Sequence, residues 1–228
     1  MSSGLHAGGR RAVFLDRDGV IIANRADYVK RWEEVELLPG ALAALARLAT
    51  TGLAVVVVTN QSPVGRGLLS SVEVERINRR LRRRIKAGGG RLDGVYYCPH
   101  APEENCLCRK PAPGLLLQAA SDLDLTLAAS YMIGDAYSDL LAGQAVGASP
   151  ILVLSGRGRA QLEQPRPAEL RAFHIVPNLA EAAALICALE AGKAAHLRAQ
   201  AEDAADAPPA GGDPEGVIGL STTTGDGC

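Results

Sequence analysis

Two aspartates stand two residues apart in Phe14-Leu15-Asp16-Arg17-Asp18-Gly19-Val20. Positions i and i+2 of an extended chain share a face, and a turn after Asp16 can aim both carboxylates at one pocket. Crowded carboxylates repel unless a cation or a shared proton stabilises them, and a hard oxygen-seeking dication such as Mg²⁺ suits them. Taken alone, the pair fits an Asp/Gly surface turn equally well. Gly134-Asp135-Ala136-Tyr137-Ser138-Asp139 offers a second acidic cluster. Asp135 can join the same ion, and Asp139, one helical turn on, can orient the site or cap a helix.

Other stretches suit an anion. Thr59-Asn60-Gln61-Ser62 brings a hydroxyl, amides and backbone N–H groups that match phosphate oxygens. Arg109-Lys110-Pro111 places a planar guanidinium fork beside a compact ammonium, a pairing that fits a phosphorylated substrate. Cys98-Pro99-His100 followed by Cys106-Leu107-Cys108 puts three thiols and an imidazole within eleven positions. That is a closed four-ligand set for structural Zn²⁺, with no position left for a reacting water. Such a site would stiffen the loop that ends in Arg109 and Lys110.

These residues need a scaffold, and the chain alternates β-rich runs with amphipathic stretches. Strands are expected at residues 12–15, 53–58, 94–97, 131–133, 151–154 and 174–176. Helices are expected after Pro39-Gly40, from the Ser70 N-cap to about Ala87, over 113–123, over 138–146 and over 179–189. The alternation predicts an α/β fold with a parallel, doubly wound, Rossmann-like sheet. Ligands of such sheets lie at the carboxyl ends of the strands, and Asp16, Thr59, Cys98 and Asp135 each stand just past one.

Composition excludes several classes. The 228 residues carry 24 Lys+Arg against 25 Asp+Glu, a formal net charge of −1, which gives no basic excess for phosphate-backbone binding. Aromatic residues at 4% leave too few rings for a base-stacking surface. The N-terminus has no apolar signal core, and the most compact apolar run, 53–58, is far shorter than the roughly 20 residues a membrane span needs. A soluble, cytoplasmic protein without nucleic-acid or membrane partners is expected. Residues 1–11 read as a flexible N-terminus, 12–192 as the folded domain, and 193–228, poor in large apolar residues, as a disordered tail. Ser155-Gly156-Arg157-Gly158 imitates a dinucleotide fingerprint, but Gln161 stands at the third glycine. The basic stretch 76–86 reads as a solvated helix face with Ile77, Leu81 and Ile85 as its apolar stripe. Of the five cysteines, Cys187 reads as helix packing and Cys228 is unexplained.

In order along residues 12–189, these motifs resemble the haloacid dehalogenase-like phosphohydrolases, within them the histidinol-phosphate and heptose-bisphosphate phosphatase group. The resemblance implies Asp16 as nucleophile through an aspartyl-phosphate and Asp18 as general acid, then base. It implies Mg²⁺ on Asp16, the Asp18 backbone carbonyl and Asp135, with Asp139 in support. Thr59 and Lys110 would hold the transferring phosphoryl. Asn60, Gln61, Arg66 and Arg109 would bind substrate, with Arg66 and Arg109 at a remote phosphate. The loop 59–67 and Ala26-Asp27-Tyr28-Val29 look like the heptose branch. That favours the 7-phosphate of D-glycero-D-manno-heptose 1,7-bisphosphate, with histidinol phosphate as the alternative substrate and an inactive zinc-stabilised binding module as the alternative of another class. Ala136 stands where these enzymes usually carry Lys or Arg, and Pro63 where they usually carry Gly. Residues 23–38 are too few for a large cap domain, so an open site in a monomer is expected.

Overall fold

A computed structural model describes residues 9–205, with side chains to residue 196. The chain divides into two units, Met1–Glu190 and Ala191–Cys228, and the first carries the sheet. Six strands form it: β1 (Ala12–Leu15), β2 (Ala54–Asn60), β3 (Gly94–Cys98), β4 (Tyr131–Gly134), β5 (Ser149–Val153) and β6 (His174–Val176). They are all parallel, in the order β3-β2-β1-β4-β5-β6. Helices α1 (Ala41–Ala49), α2 (Ser71–Ala87), α3 (Gly114–Leu123), α4 (Tyr137–Ala145), α5 (Gly158–Leu162) and α6 (Leu179–Ala205) complete the alternation.

The period of two along each strand divides the apolar residues between two cores. Val13, Leu15, Val55, Val57 and Ile133 face α1, α2 and α6, burying Leu45, Leu48, Ile77, Leu81, Ile85 and Ile186. Ala12, Phe14, Val56, Val58 and Met132 face α3 and α4, burying Leu115, Leu116, Ala119 and Ala142. The strands are therefore apolar on both faces, as a doubly wound parallel sheet requires. Ser70 caps α2, its side chain accepting from the Glu73 N–H, a bond worth about 1 kcal/mol at such positions. Asn78 of α2 is buried beside the expected Ile77, Leu81 and Ile85 stripe.

The chain order reverses between β1 and β4, each of which leads outward from the switch point. Diverging connections leave a crevice at the carboxyl ends there, and Asp16 and Asp135 are the first residues beyond those two strands. Several expected boundaries move by one or two residues, and two of them bear on the site. β2 continues through Thr59 and Asn60, which pair with Tyr97 and Cys98 of β3, so these residues stand on the strand ends rather than beyond them.

The expected termini also change where they are described. Arg10 forms a bridge with Leu125 and Arg11 pairs with Glu190, so residues 9–11 are fastened to the domain; residues 1–8 lie outside the described residues. The last helix runs on to Ala205, so residues 193–205 are helical where a disordered tail was expected. Six of its thirteen residues are Ala, and Leu, Lys, Arg, Gln and Glu add one each. These are strong helix formers, and a shortage of large apolar residues removes core contacts without removing helix propensity. The rest of the expected tail, residues 206–228 with Cys228, lies outside the described residues.

Candidate active site

A cavity of about 700 Å³ opens at the carboxyl ends of the strands. Asp16, Asp18, Thr59, Asn60, Gln61, Arg66, Arg109, Lys110, Asp135 and Asp139 all line it. Cys98 does not. It ends β3 and is buried in the core under α3, where it anchors a separate thiol cluster.

Lys110 lies at the centre of the acidic group. Its Nζ is 2.6 Å from Asp139 Oδ1, 3.0 Å from Asp16 Oδ1 and donates to the Val58 carbonyl at 2.8 Å. Burial works against this ammonium, but the Asp139 and Asp16 carboxylates more than offset it and hold its pKa above the usual lysine range. The other oxygen of Asp139 accepts the Ala136 N–H at 3.1 Å, so one carboxylate both caps α4 and grips Lys110. Burial pushes Asp139 up to about 7, with Lys110 opposing and Asp16 and Asp135 adding to the rise. Burial, and then the Asp16 charge, likewise raise Asp135.

The donor set fits a hard dication. Asp16, Asp135 and Asp139 can each offer an oxygen, all within 4.8 Å of one another. Three carboxylates against the Lys110 ammonium leave a formal charge of −2. Asp16 Oδ1 and Asp135 Oδ1 are buried without a hydrogen bond, Asp16 Oδ1 meeting Lys110 as an ion pair rather than in an aligned bond. Buried, unsatisfied carboxylate oxygens are costly. A dication between them would neutralise the cluster and satisfy both atoms.

The second oxygen of Asp135 is held by residues not expected at this site. Asn24 Nδ2 donates to Oδ2 at 2.7 Å and the Arg157 N–H at 2.8 Å. The Ser155 hydroxyl donates to the Gly19 carbonyl at 2.7 Å, which fastens the 155–158 turn onto the first acidic loop. Gly19 and Gly156 are required there. Both have positive φ, 88° and 59°, and a Cβ would lie 2.0 Å and 2.3 Å from Asp135 Oδ2. The Ser-Gly-Arg-Gly stretch therefore serves the acidic site, and its glycines are explained by close backbone approach. The Arg157 guanidinium projects to solvent at the cavity edge, 3.8 Å from Asp135.

Asn60 and Gln61, expected on the substrate, spend their amides on the protein. Asn60 clamps the Lys110 backbone from both sides, accepting its N–H and donating to its carbonyl, each at 3.1 Å. Gln61 Nε2 donates to Asp18 Oδ2 at 3.1 Å and Thr59 Oγ1 at 3.0 Å, and its Oε1 accepts from Arg17. Because Thr59 Oγ1 accepts this bond, its own hydroxyl hydrogen is left for an anion in the cavity. Arg66 and Arg109 face the cavity with weak ties, Arg66 to Glu103 at 3.9 Å and Arg109 to the His100 carbonyl at 3.5 Å.

Cys98, His100, Cys106 and Cys108 converge as the spacing implied. Adjacent ligand atoms lie 3.5 Å (Cys98–His100), 3.5 Å (Cys98–Cys106), 3.2 Å (His100–Cys108) and 3.4 Å (Cys106–Cys108) apart. A tetrahedral Zn²⁺ with sulfur ligands at about 2.3 Å places them roughly 3.8 Å apart, so the set needs only a slight expansion. Burial pushes the Cys98 thiol up. Against burial, hydrogen bonds with Cys108 and Cys98 draw Cys106 down to about 7. Arg109 and Lys110 follow the last ligand directly, and the Lys110–Pro111 peptide is cis.

Comparison with known proteins agrees with this arrangement. Residues 107–182 match the HAD-hydrolase-like family model. A D-glycero-β-D-manno-heptose-1,7-bisphosphate 7-phosphatase of Pseudomonas putida is 41% identical over 157 residues, which cover 69% of this chain and 90% of that protein. The corresponding phosphatase of Bordetella bronchiseptica is 39% identical over 154 residues. A crystal structure of the B. bronchiseptica enzyme, complexed with magnesium and phosphate, superimposes with a TM-score of 0.73 at 36% identity, covering 78% of this chain and 98% of that one. Among the described residues, no helix is long and apolar enough to cross a membrane. The chain belongs to the D-glycero-β-D-manno-heptose-1,7-bisphosphate 7-phosphatase family of haloacid dehalogenase-like hydrolases.

Proposed function

We propose that this chain is a Mg²⁺-dependent phosphatase that removes the 7-phosphate of D-glycero-β-D-manno-heptose 1,7-bisphosphate. The observation that carries the reading is the pairing, in one cavity, of a buried acidic centre with loosely tied arginines. Asp16, Asp135 and Lys110 suit the phosphoryl being transferred, while Arg66 and Arg109 are available to a second phosphate. A bisphosphate needs both.

An Asp16 carboxylate oxygen attacks phosphorus, the bond to the heptose 7-oxygen breaks, and Asp18 gives its proton to that oxygen. Water then attacks the aspartyl-phosphate, Asp18 takes the water's proton, and the Asp16–phosphorus bond breaks. Phosphate leaves, Asp16 is restored as a carboxylate and Asp18 as the protonated acid. Lys110 holds Asp16 in place and tempers the charge of the transferring group, and the Thr59 hydroxyl donates to one of its oxygens. Mg²⁺, held by Asp16, Asp135 and the Asp18 backbone carbonyl, supplies further stabilisation of the phosphoryl charge when bound. Zn²⁺ on Cys98, His100, Cys106 and Cys108 ties down the loop that delivers Arg109 and Lys110. Asn60 acts by fixing the Lys110 backbone, and Asp139 by fixing its ammonium. The same reading has the chain work as a monomer in the cytoplasm; the thiols of the cluster, free of disulfides, support a reducing compartment.

The test is kcat/KM on the β-heptose bisphosphate, its α anomer and histidinol phosphate, with and without Mg²⁺. Charge-assisted hydrogen bonds to the second phosphate are each worth about 1.5–3 kcal/mol. A preference of roughly 100-fold or more for the bisphosphate over histidinol phosphate is expected. A preference for histidinol phosphate overturns the substrate, and no turnover of any phosphomonoester overturns the activity.

A further inference from the structure

Arg17 lies between the two aspartates of the first motif, yet its side chain is 1% exposed, and its guanidinium reaches Asn78 of α2 and Gln61 just after β2. Its guanidinium bonds are directed. Nε donates to Asp18 Oδ2 at 3.0 Å, and Nη2 meets Asp18 Oδ1 at 3.3 Å and Oδ2 at 2.9 Å, gripping the carboxylate side-on. Nη2 also donates to Gln61 Oε1 at 2.9 Å, and Nη1 to Asn78 Oδ1 at 3.0 Å. Gln61 closes the circuit by donating its own amide to Asp18 Oδ2.

A guanidinium withdrawn from water is costly unless its donors are satisfied, and this one is satisfied by groups that converge on a single carboxylate. Asp18 is thus held from two directions and still keeps 21% of its side chain exposed to the cavity. Asn78, the one polar residue on the buried stripe of α2, has its oxygen on Arg17. A leucine there would continue the apolar stripe but accept nothing from Arg17.

We propose that Arg17, braced by Asn78 and Gln61, is the positioning residue for Asp18. It fixes one carboxylate orientation from which the proton reaches the leaving oxygen. Without a large cap to close over the site, this internal brace does the orienting. The inference rests on the reading of Asp18 as the acid–base residue.

The experiment separates proton donation from folding and from binding. Single-turnover release of the leaving group is measured on two substrates, an alkyl (sugar) phosphomonoester and p-nitrophenyl phosphate. The alkoxide must be protonated as it departs, whereas p-nitrophenolate leaves without a proton. The variants are Asp18→Asn as the reference, Arg17→Gln and Asn78→Leu. General acid catalysis contributes about 10²–10⁴-fold, so Asp18→Asn should lose that on the alkyl substrate and far less on the aryl one. Arg17→Gln and Asn78→Leu should show the same selective loss, about tenfold or more on the alkyl substrate and near unity on the aryl one. Asn78→Leu keeps Arg17 itself and continues the apolar stripe of α2, and it decides the matter if Arg17→Gln fails to fold. Equal losses on both substrates, or none, for Asn78→Leu while Asp18→Asn remains selective overturn the inference alone. A non-selective Asp18→Asn overturns the acid–base reading and the inference with it.

Discussion

Gly156→Ala tests whether the turn at residues 155–158 is part of the metal site. The added methyl carbon would lie 2.3 Å from Asp135 Oδ2, 2.5 Å from Gly19 Cα and 2.9 Å from Asn24 Nδ2, all inside van der Waals contact. Two of these neighbours cannot give way cheaply, since Gly19 offers backbone and Asp135 is fully buried. The residue also sits at φ 59°, which costs a non-glycine residue about 1 kcal/mol. Overpacking adds about 1–3 kcal/mol. The relief available is for the turn to lift, which removes the Arg157 N–H from Asp135 Oδ2 and the Ser155 hydroxyl from the Gly19 carbonyl. A total near 2–4 kcal/mol corresponds to a fall in Tm of about 5–15 °C for a domain of this size. Thermal unfolding in EDTA reads this without any metal or substrate. Titration with Mg²⁺ should then show affinity weakened about tenfold, because Asp135 has lost one of its two orienting donors. An unchanged Tm together with an unchanged Mg²⁺ dependence would refute the argument that this turn orients Asp135.

Cys106→Ser removes one of four ligands from the thiol–imidazole cluster, and zinc per chain, measured by atomic spectroscopy, should fall from one equivalent towards none. The loop 98–110 should then be cut faster by protease, and unchanged metal content contradicts the site. Asn60→Ala deletes both bonds to the Lys110 backbone; kcat should fall about tenfold with the midpoint for Mg²⁺ nearly unmoved, as steady-state kinetics will show. Asp139→Asn keeps the shape of α4's cap but withdraws the carboxylate 2.6 Å from Lys110. Lys110 keeps Asp16 at 3.0 Å and the Asp139 carboxyl is raised to about 7, so its ionised form is disfavoured by folding; denaturant unfolding at pH 8 should show the variant no less stable than the parent, while kcat falls about tenfold as Lys110 loses an anchor, and a large loss of stability would contradict this.

The acidic centre was legible because its chemistry is local. Asp16 and Asp135 sit in short motifs next to strand ends, and parallel strands carry their ends to one edge of the sheet, while Lys110 sits in a short motif between the Cys/His stretch and α3. The Cys98, His100, Cys106 and Cys108 cluster was legible for the same reason, all four lying within eleven residues. Residues that act through long-range contacts were harder to find. Asn24 looks like an ordinary loop residue until its amide is seen on Asp135, 111 positions away. Asn78 is the one polar residue among the buried positions of a very basic helix, and the one available signal was its place beside Ile77 on the apolar stripe. Gly156 and Arg157 were passed over because the fingerprint they imitate was incomplete, and the spacing of glycines could not reveal that the turn closes onto Gly19. Asn60 and Gln61 have side chains equally suited to ligand or protein, and hydrogen-bond partners alone distinguish those uses. The helix beyond residue 189 was missed by treating a lack of large apolar residues as a lack of helix propensity.

The central claim is that Asp16 carries the phosphoryl group during turnover. Enzyme quenched in acid during steady-state hydrolysis, reduced with borohydride and digested for peptide mass spectrometry reads this directly, since an aspartyl-phosphate is reduced to homoserine. The account predicts homoserine at position 16, dependent on both substrate and Mg²⁺. Homoserine at another aspartate, or none under conditions where phosphate is being released, would contradict it.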